Sequence, residues 1–519
     1  MSSIITIVLL YAVYRYFWST NSNYDKCWER QGIPVARVSW LTKFTKQWHH
    51  WERDLYQKYG LVFGIYELGK PILYLSDPDL IRDVLVKDFN VFNNRRDTTT
   101  GVDPIVDNMM DLLRDERWKT VRSIVTPTFS TGKLRKMLPS IINCLRNLDK
   151  NMSKKISSEN TNTNNNNNKL NTDLKKLFGA YTMELLIQVA FGVNVDGLDE
   201  TNPIILNILE MLDYSPSAIV IQSAPKLARL LRLTFFNGRN IRFFRDMTVR
   251  IIAERRRRQQ QLLATTTTTD AEDTKPVDFL QIMLDSLLEA NGDQTNGKYM
   301  TNDEFLAQCV LFLLAGYETT TSTISMVIYN IANSPRVQQK CYEEAKQYYN
   351  ENKVIDYEVM QNLKYLDAVI SESMRLYPVL PFFERQANRD YQLGTGGGSN
   401  GILVPKDTIV HIPVWSIQRD HHNYPDPDKF LPERFLGDTK HLDHHPYAYL
   451  PFGSGPRSCP GMRYAQLVVK LAILQSVYNY KFHPTTTPVQ VDCVSMVLVP
   501  KEVKVLFEKL QFIPKNYFL

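Results

Sequence analysis

At 519 residues, with 44% apolar and 22% charged side chains, the chain is long enough to bury a large core. A formal net charge of +6 is small for this length, and no zinc-finger spacing or basic-aromatic interleaving appears, which speaks against a nucleic-acid partner. Cys27, Cys144, Cys309, Cys341, Cys459 and Cys493 lack paired spacing, which fits a reducing compartment rather than a disulfide framework or a multi-cysteine zinc site.

The first run, Ile4 to Trp18, is apolar apart from Thr6 and Arg15. It is shorter than the roughly 20 residues that span a bilayer. No basic stretch precedes it and no small-residue cleavage site follows, so a removed signal peptide is disfavoured. Tyr14, Tyr16, Phe17 and Trp18 suit a membrane–water interface, and Arg15, Lys26 and Arg30 place the bulk of the chain on the cytoplasmic side. The organisation expected is an anchor over 1–20, a linker over 21–47 and a single domain over 48–519.

Trp48 to Tyr59 has the period of an amphipathic helix, and Val62 to Leu75 reads as a hairpin turning at Gly69-Lys70-Pro71. Asp77-Pro78 opens a helix. Asn94 to Asp115 reads as loop with one short amphipathic piece, and Glu116 to Thr126 as a helix stopped by Pro127. Two polar inserts, near 157–172 and 263–276, contain the Asn/Thr run Thr161–Asn168 and the run Thr265–Thr269; both are expected to be solvated loops. Arg255–Arg258 are expected as a solvated face at the C-terminal end of a helix that starts near Asn237.

Phe305 to Ile331 is the longest apolar stretch, but Gln308, Glu318, Asn330 and Thr319–Thr321 make it a helix for the centre of a protein rather than for lipid. Tyr365 to Leu376 is a further helix ended by Pro378, followed by extended runs at Ile402–Val404 and Thr408–Val414; Gly396–Gly398 is loop. The fold class is mainly α with small β-sheets.

Near the C-terminus, Pro451-Phe452-Gly453-Ser454-Gly455-Pro456-Arg457-Ser458-Cys459-Pro460-Gly461 sets one cysteine in a Gly/Pro-rich loop before the apolar run Met462–Val477. Its glycines suit tight turns and close backbone approach to something flat. A thiolate there faces a helix N-terminus and free N–H groups, which predicts a lowered thiol pKa. Three chemistries fit a lone cysteine: an inert core thiol, a nucleophile (with no His close in sequence to serve as base), or a metal ligand.

Phe452, Gly455, Arg457, Cys459 and Gly461 spell F-x-x-G-x-R-x-C-x-G, which resembles the haem-binding signature of the cytochrome P450 family. Ala315-Gly316-Tyr317-Glu318-Thr319-Thr320 resembles that family's oxygen-activation motif, Glu372 with Arg375 its E-x-x-R pair, and Trp118 with Arg122 its W-x-x-x-R pattern. The similarity runs from about Trp48 to the C-terminus and is nearest the animal microsomal branch that oxidises steroids and drugs, which is close to thromboxane synthase. Pro460 after the cysteine and the Asn-rich insert depart from it.

The resemblance implies a haem b lying between the long central helix and the cysteine loop, with Cys459 as thiolate ligand of iron. It implies that Trp118, Arg122, Arg385 and Arg457 hold the haem carboxylates and that Phe452, Gly461 and Gly316 adjoin the cofactor. Thr319 and Glu318 then deliver protons, and Glu372, Arg375 and Arg434 form a buried structural network. Substrate-facing positions are Ile105, Val106, Leu313, Ala315, Val379, Leu380, Phe382 and Met496. The activity implied is NADPH-dependent monooxygenation of an apolar substrate at the endoplasmic reticulum membrane, cytoplasmic face. NADPH-cytochrome P450 reductase is the implied partner, with cytochrome b5 as a second. Two rivals are a reductase-free isomerase or dehydratase acting on a peroxide, and a non-catalytic haem carrier.

Overall fold

A computed structural model describes residues 26–510, apart from 39–46, 68, 164–168, 200, 214–216, 224, 266–277, 293–298, 353–354, 395–400, 438–443, 487 and 495–496. The expected anchor, Met496, the Gly396–Gly398 loop and most of the threonine insert therefore lie outside the described residues. Helix α1 spans Trp48–Tyr59, and strands β1 (Val62–Glu67) and β2 (Lys70–Leu75) form the hairpin that follows. Helix α2 (Asp115–Val125) runs directly into a 3-10 turn over Thr126–Phe129, so Pro127 reshapes the chain there rather than ending order.

Helix α3 (Leu174–Phe191) lies beside the long central helix α4 (Asn302–Ala332). Gly316 lets them touch: a Cβ there would come 2.6 Å from Leu186. Helix α4 starts at Thr301, whose side chain accepts from the Glu304 N–H while Glu304 accepts from the Thr301 N–H, a reciprocal cap. Helix α5 (Lys364–Leu376) leads to β3 (Phe383–Gln386) and β4 (Ile409–Ile412), and α6 (Met462–Asn479) follows the cysteine loop. The four strands form one sheet in the order β1-β2-β4-β3, with only β2 and β4 parallel.

The helices bury one large apolar core, while the sheet side builds separate clusters around Trp28, Phe92, Phe383 and Leu450, and around Phe63 and Tyr74. The cysteine loop bridges the two regions: Leu450 belongs to the sheet side and Tyr464 to the helical core.

Two expectations change. The segment 157–172 is not all loop: the helix Thr131–Thr163 runs into it, and Lys169–Asp173 is a strand paired antiparallel with Lys504–Lys509. Arg255–Arg258 are not at a helix end either, because their helix runs from Gly238 to Thr265. Arg255 turns inward to Asp278 at 2.6 Å and to the Phe191 carbonyl at 2.7 Å, whereas Arg257 and Arg258 pair with Glu254 at the surface.

Candidate haem-thiolate site

Gly453 and Gly455 hold φ of +69° and +73°, the left-handed region that glycine adopts without strain. The loop closes on itself through Cys459 N–H to the Phe452 carbonyl at 2.9 Å and Ser458 N–H to the Gly455 carbonyl at 3.0 Å. Gly461 caps α6, accepting from the Ala465 N–H at 2.8 Å, and packs near the Phe129 ring. Phe452 is half-buried against the helical core.

The Cys459 sulfur presents accessible surface, yet protein surrounds it at longer range. Together these put the sulfur on the floor of a recess. Burial pushes the thiol pKa up, against the Gly461 N–H and the charges of Arg122 and Arg95, which pull it down. The expected lowering is therefore reversed: desolvation outweighs the loop's N–H groups. A bound metal ion removes that proton outright.

Around the same recess stand arginines that repel one another. Arg385 is 2% exposed and is held well below the usual guanidinium range by burial and then by Arg95 and Arg457. Burial, Arg95 and Arg114 push Arg457 down to about 9. Arg457 donates to the Leu113 carbonyl at 2.5 Å and stacks 4.4 Å over the Trp118 ring, while its Nε and that of Arg385 find no partner. Burial also lowers Arg122, which Cys459 partly offsets. Asp111 feels the charges of both Arg95 and Arg457, but burial raises its own carboxyl and makes it a poor counter-ion. Desolvated guanidiniums with unmet N–H groups call for an anion, and arginine forks match carboxylates. An iron held by sulfur on a ring carrying two carboxylates fits this donor set.

Arg95 belongs to this cluster and was not singled out from sequence, because it lies in an aperiodic loop outside every motif. Its backbone is fixed by Arg114, whose Nη1 donates to the Arg95 carbonyl at 3.0 Å and to Gln386 at 2.8 Å.

Beneath the loop, Arg375 grips Glu372 with two N–H groups, at 2.6 and 2.8 Å, both side chains being fully buried. Arg375 also donates to the carbonyls of Gln418 and Pro427 at 2.8 Å. Arg434 lies 3.4 Å from Glu372 and donates to the Asp426 carbonyl at 2.8 Å. Gln418 joins this network to the loop. Its amide donates to the Met374 and Arg375 carbonyls, and its oxygen accepts from the Leu450 N–H at 2.9 Å, next to Pro451. Nothing in the sequence spacing marked Gln418.

On α4, the Thr319 hydroxyl donates to the Ala315 carbonyl one turn back at 2.6 Å. Glu318 is held by Lys175 of α3 at 3.2 Å and by the Ser322 hydroxyl at 3.0 Å. Gly316, expected to let the cofactor approach, has its open flank against Leu186, and Ala315 is the exposed residue of the motif. Of the substrate positions, Val379 and Leu380 keep partial exposure, and Ile105 and Val106 are buried on the short helix Pro104–Asp107. Leu313 is 1% exposed, and Phe382 is buried with its ring packed against Trp48 and His411.

The family profile described as Cytochrome P450 matches residues 33–507. The chain is 33% identical to Cytochrome P450 3A29 of Sus scrofa over 88% of this chain and 86% of that protein. It is also 33% identical to Cytochrome P450 3A7 of Homo sapiens, over 96% and 94% respectively. Cytochrome P450 3A56 of Fundulus heteroclitus matches at 33%, over 96% and 94%.

Proposed function

The chain belongs to the cytochrome P450 family, and on that premise we propose a membrane-attached monooxygenase that oxidises apolar molecules of steroid or drug size. Like its family it is a haem-thiolate protein whose electrons come from NADPH through a reductase. Haem supplies the iron at which dioxygen is reduced and cleaved. The carrying observation is that one accessible sulfur and a set of unneutralised arginines share a recess, with Arg122 and Arg95 acting on both.

In this reading Cys459 would be the thiolate that holds the iron, and the Gly461 N–H would temper its charge. Arg95, Arg122, Arg385 and Arg457, with Trp118, would hold the two haem carboxylates. Thr319 moves a proton by turning its hydroxyl from the Ala315 carbonyl, and Glu318 lies one residue away as the carboxylate that replenishes it. Ala315, Val379 and Leu380 offer the apolar surface against which a substrate packs. Electrons arrive from a separate reductase, with cytochrome b5 as a second donor. Residues 1–20 anchor the chain in the endoplasmic reticulum membrane with the catalytic domain on the cytoplasmic face; among the described residues no helix is long and apolar enough to cross a membrane.

Thr319→Ala tests the reading in a reconstituted system with reductase. A monooxygenase keeps consuming NADPH while product falls by at least about tenfold and hydrogen peroxide rises. Unchanged turnover of a peroxide substrate without NADPH would establish the isomerase instead.

A further inference from the structure

Behind the arginine cluster lies a second set of buried charges that no motif predicted. His411 sits on β4, 1% exposed, with carboxylates at both ring nitrogens. Nε2 lies 2.6 Å from Glu52 of α1, a close ionic contact rather than an aligned hydrogen bond, and Nδ1 lies 3.3 Å from Glu384 of β3. Only the imidazolium carries a proton on both nitrogens; a neutral ring turns one lone pair toward a carboxylate. The other groups facing it are Tyr74 of β2, whose hydroxyl donates to Glu52 at 3.3 Å, Trp48, which also donates to Glu52, and Phe382. Arg96 closes the set: it holds Glu384 with two N–H groups at 2.8 and 2.9 Å and Glu67 of β1 at 3.1 Å.

Without a charge on His411 the set carries two negative charges in excess, and with it one. Glu52, Glu67 and Glu384 supply three negative charges and Arg96 one positive. Chain connectivity gives the imbalance a consequence. Arg96 follows Arg95, and Glu384 precedes Arg385, so the Arg96–Glu384 clamp fixes two segments whose neighbours point their cations into the recess. The Gln386 N–H to Asn94 carbonyl bond, 2.8 Å, ties the same segments on the other side.

We propose that His411 is a positioning residue for the haem: as an imidazolium between Glu52 and Glu384, it steadies the Arg96–Glu384 clamp and so keeps Arg95 and Arg385 aimed at the haem carboxylates. This rests on the assignment of those arginines to the carboxylates. Burial works against the charged ring, but Glu52 and Glu384 outweigh it and raise the His411 pKa above its ordinary value; Arg96 holds Glu384 low and burial keeps Tyr74 far above its ordinary value, so His411, rather than Glu384 or Tyr74, is the group whose charge changes. A raised folded-state pKa means that the contribution is complete below about 6.5 and is lost as pH rises through the folded value.

The test is the rate at which haem leaves the full-length holoprotein for excess apomyoglobin, followed in the Soret band between pH 6 and 10. The wild type is expected to hold haem at a constant rate at the acid end and to lose it faster as pH rises. His411→Met is expected to lose haem about tenfold faster at pH 6.5, with no further rise attributable to this step. Adding Glu52→Gln to His411→Met removes the stranded carboxylate and is expected to restore slow, pH-flat haem loss. A pH-independent wild-type rate, or a double variant as leaky as the single one, overturns the inference, since lost packing alone gives both. Arg385→Gln in the same assay separates the premises. If it retains haem like the wild type, the carboxylate cradle itself is wrong. If it leaks and His411→Met does not, only the role of His411 falls.

Discussion

Gly455 shows how a single residue sets the cofactor loop. Its φ of +73° disfavours any side chain, and a Cβ would run into the carbonyl oxygen of Leu85, a backbone atom that cannot swing aside. Gly455→Ala is therefore expected to cost about 1–3 kcal/mol of overpacking on top of the backbone strain and to give mostly haem-free or wrongly ligated protein. Gly132→Ala, on a helix with nothing within 4 Å, is the control and should be neutral or slightly stabilising. The reduced carbon monoxide spectrum of each purified variant measures the correctly ligated fraction, and a normal spectrum for Gly455→Ala would refute this. At this scale the sequence showed what depends on spacing: Cys459 and its glycines, and the Glu372–Arg375 pair. Arg95, Gln418 and His411 were hidden because their partners lie far along the chain. Gln418 joins α5 to the loop over separations of 32 and 43 residues. The thiol pKa was misjudged for a related reason: neighbours in sequence reveal N–H groups but not desolvation.

Helix α5 carries the next prediction. Its Glu372 accepts from Arg375 and from the Leu431 N–H at 2.9 Å, and Arg375 reaches three further carbonyls, so one ion pair fastens α5 to the segment before the loop. Removing Glu372 strands a buried guanidinium at a cost of about 3–5 kcal/mol. Glu372→Ala and Arg375→Ala should each yield little haem-loaded protein, measured as haem per polypeptide, and normal content in either would refute the network's role. Helices with one apolar face were readable at this level: α1 and α5 lie where their periods put them. Helix α3 was not assigned, because it is buried on nearly every side and has no apolar stripe to read. The helix Thr131–Thr163 carries Pro139, a residue that reads as a break, although Leu134, Leu138, Ile141, Leu145 and Leu148 give it a buried face.

For the whole molecule, the decisive feature is that the recess lies where two separately built cores meet. Trp118 and Tyr464 belong to the helical core, and Phe383 and Leu450 to the sheet side. In the proposed assignment the haem carboxylates would draw Arg122 of α2 and Arg385 of β3 to one anion, and iron would hold the loop that runs from Leu450 to Tyr464. Haem held in this way would link the halves in the folded state alone and stabilise it by mass action. Without haem, the arginines repel across the seam with no anion between them. Haem-free protein is therefore expected to unfold in two stages. Tryptophan emission, weighted to the sheet side by Trp28 in its core and by Trp48 stacked on His411 of β4, should change at lower denaturant than far-UV circular dichroism, which the helices dominate. In the haem-loaded protein the two curves should coincide at a higher midpoint. Superimposable curves in the haem-free protein would mean that the sheet and helical cores are coupled by their own packing, and that haem occupies the seam without joining it.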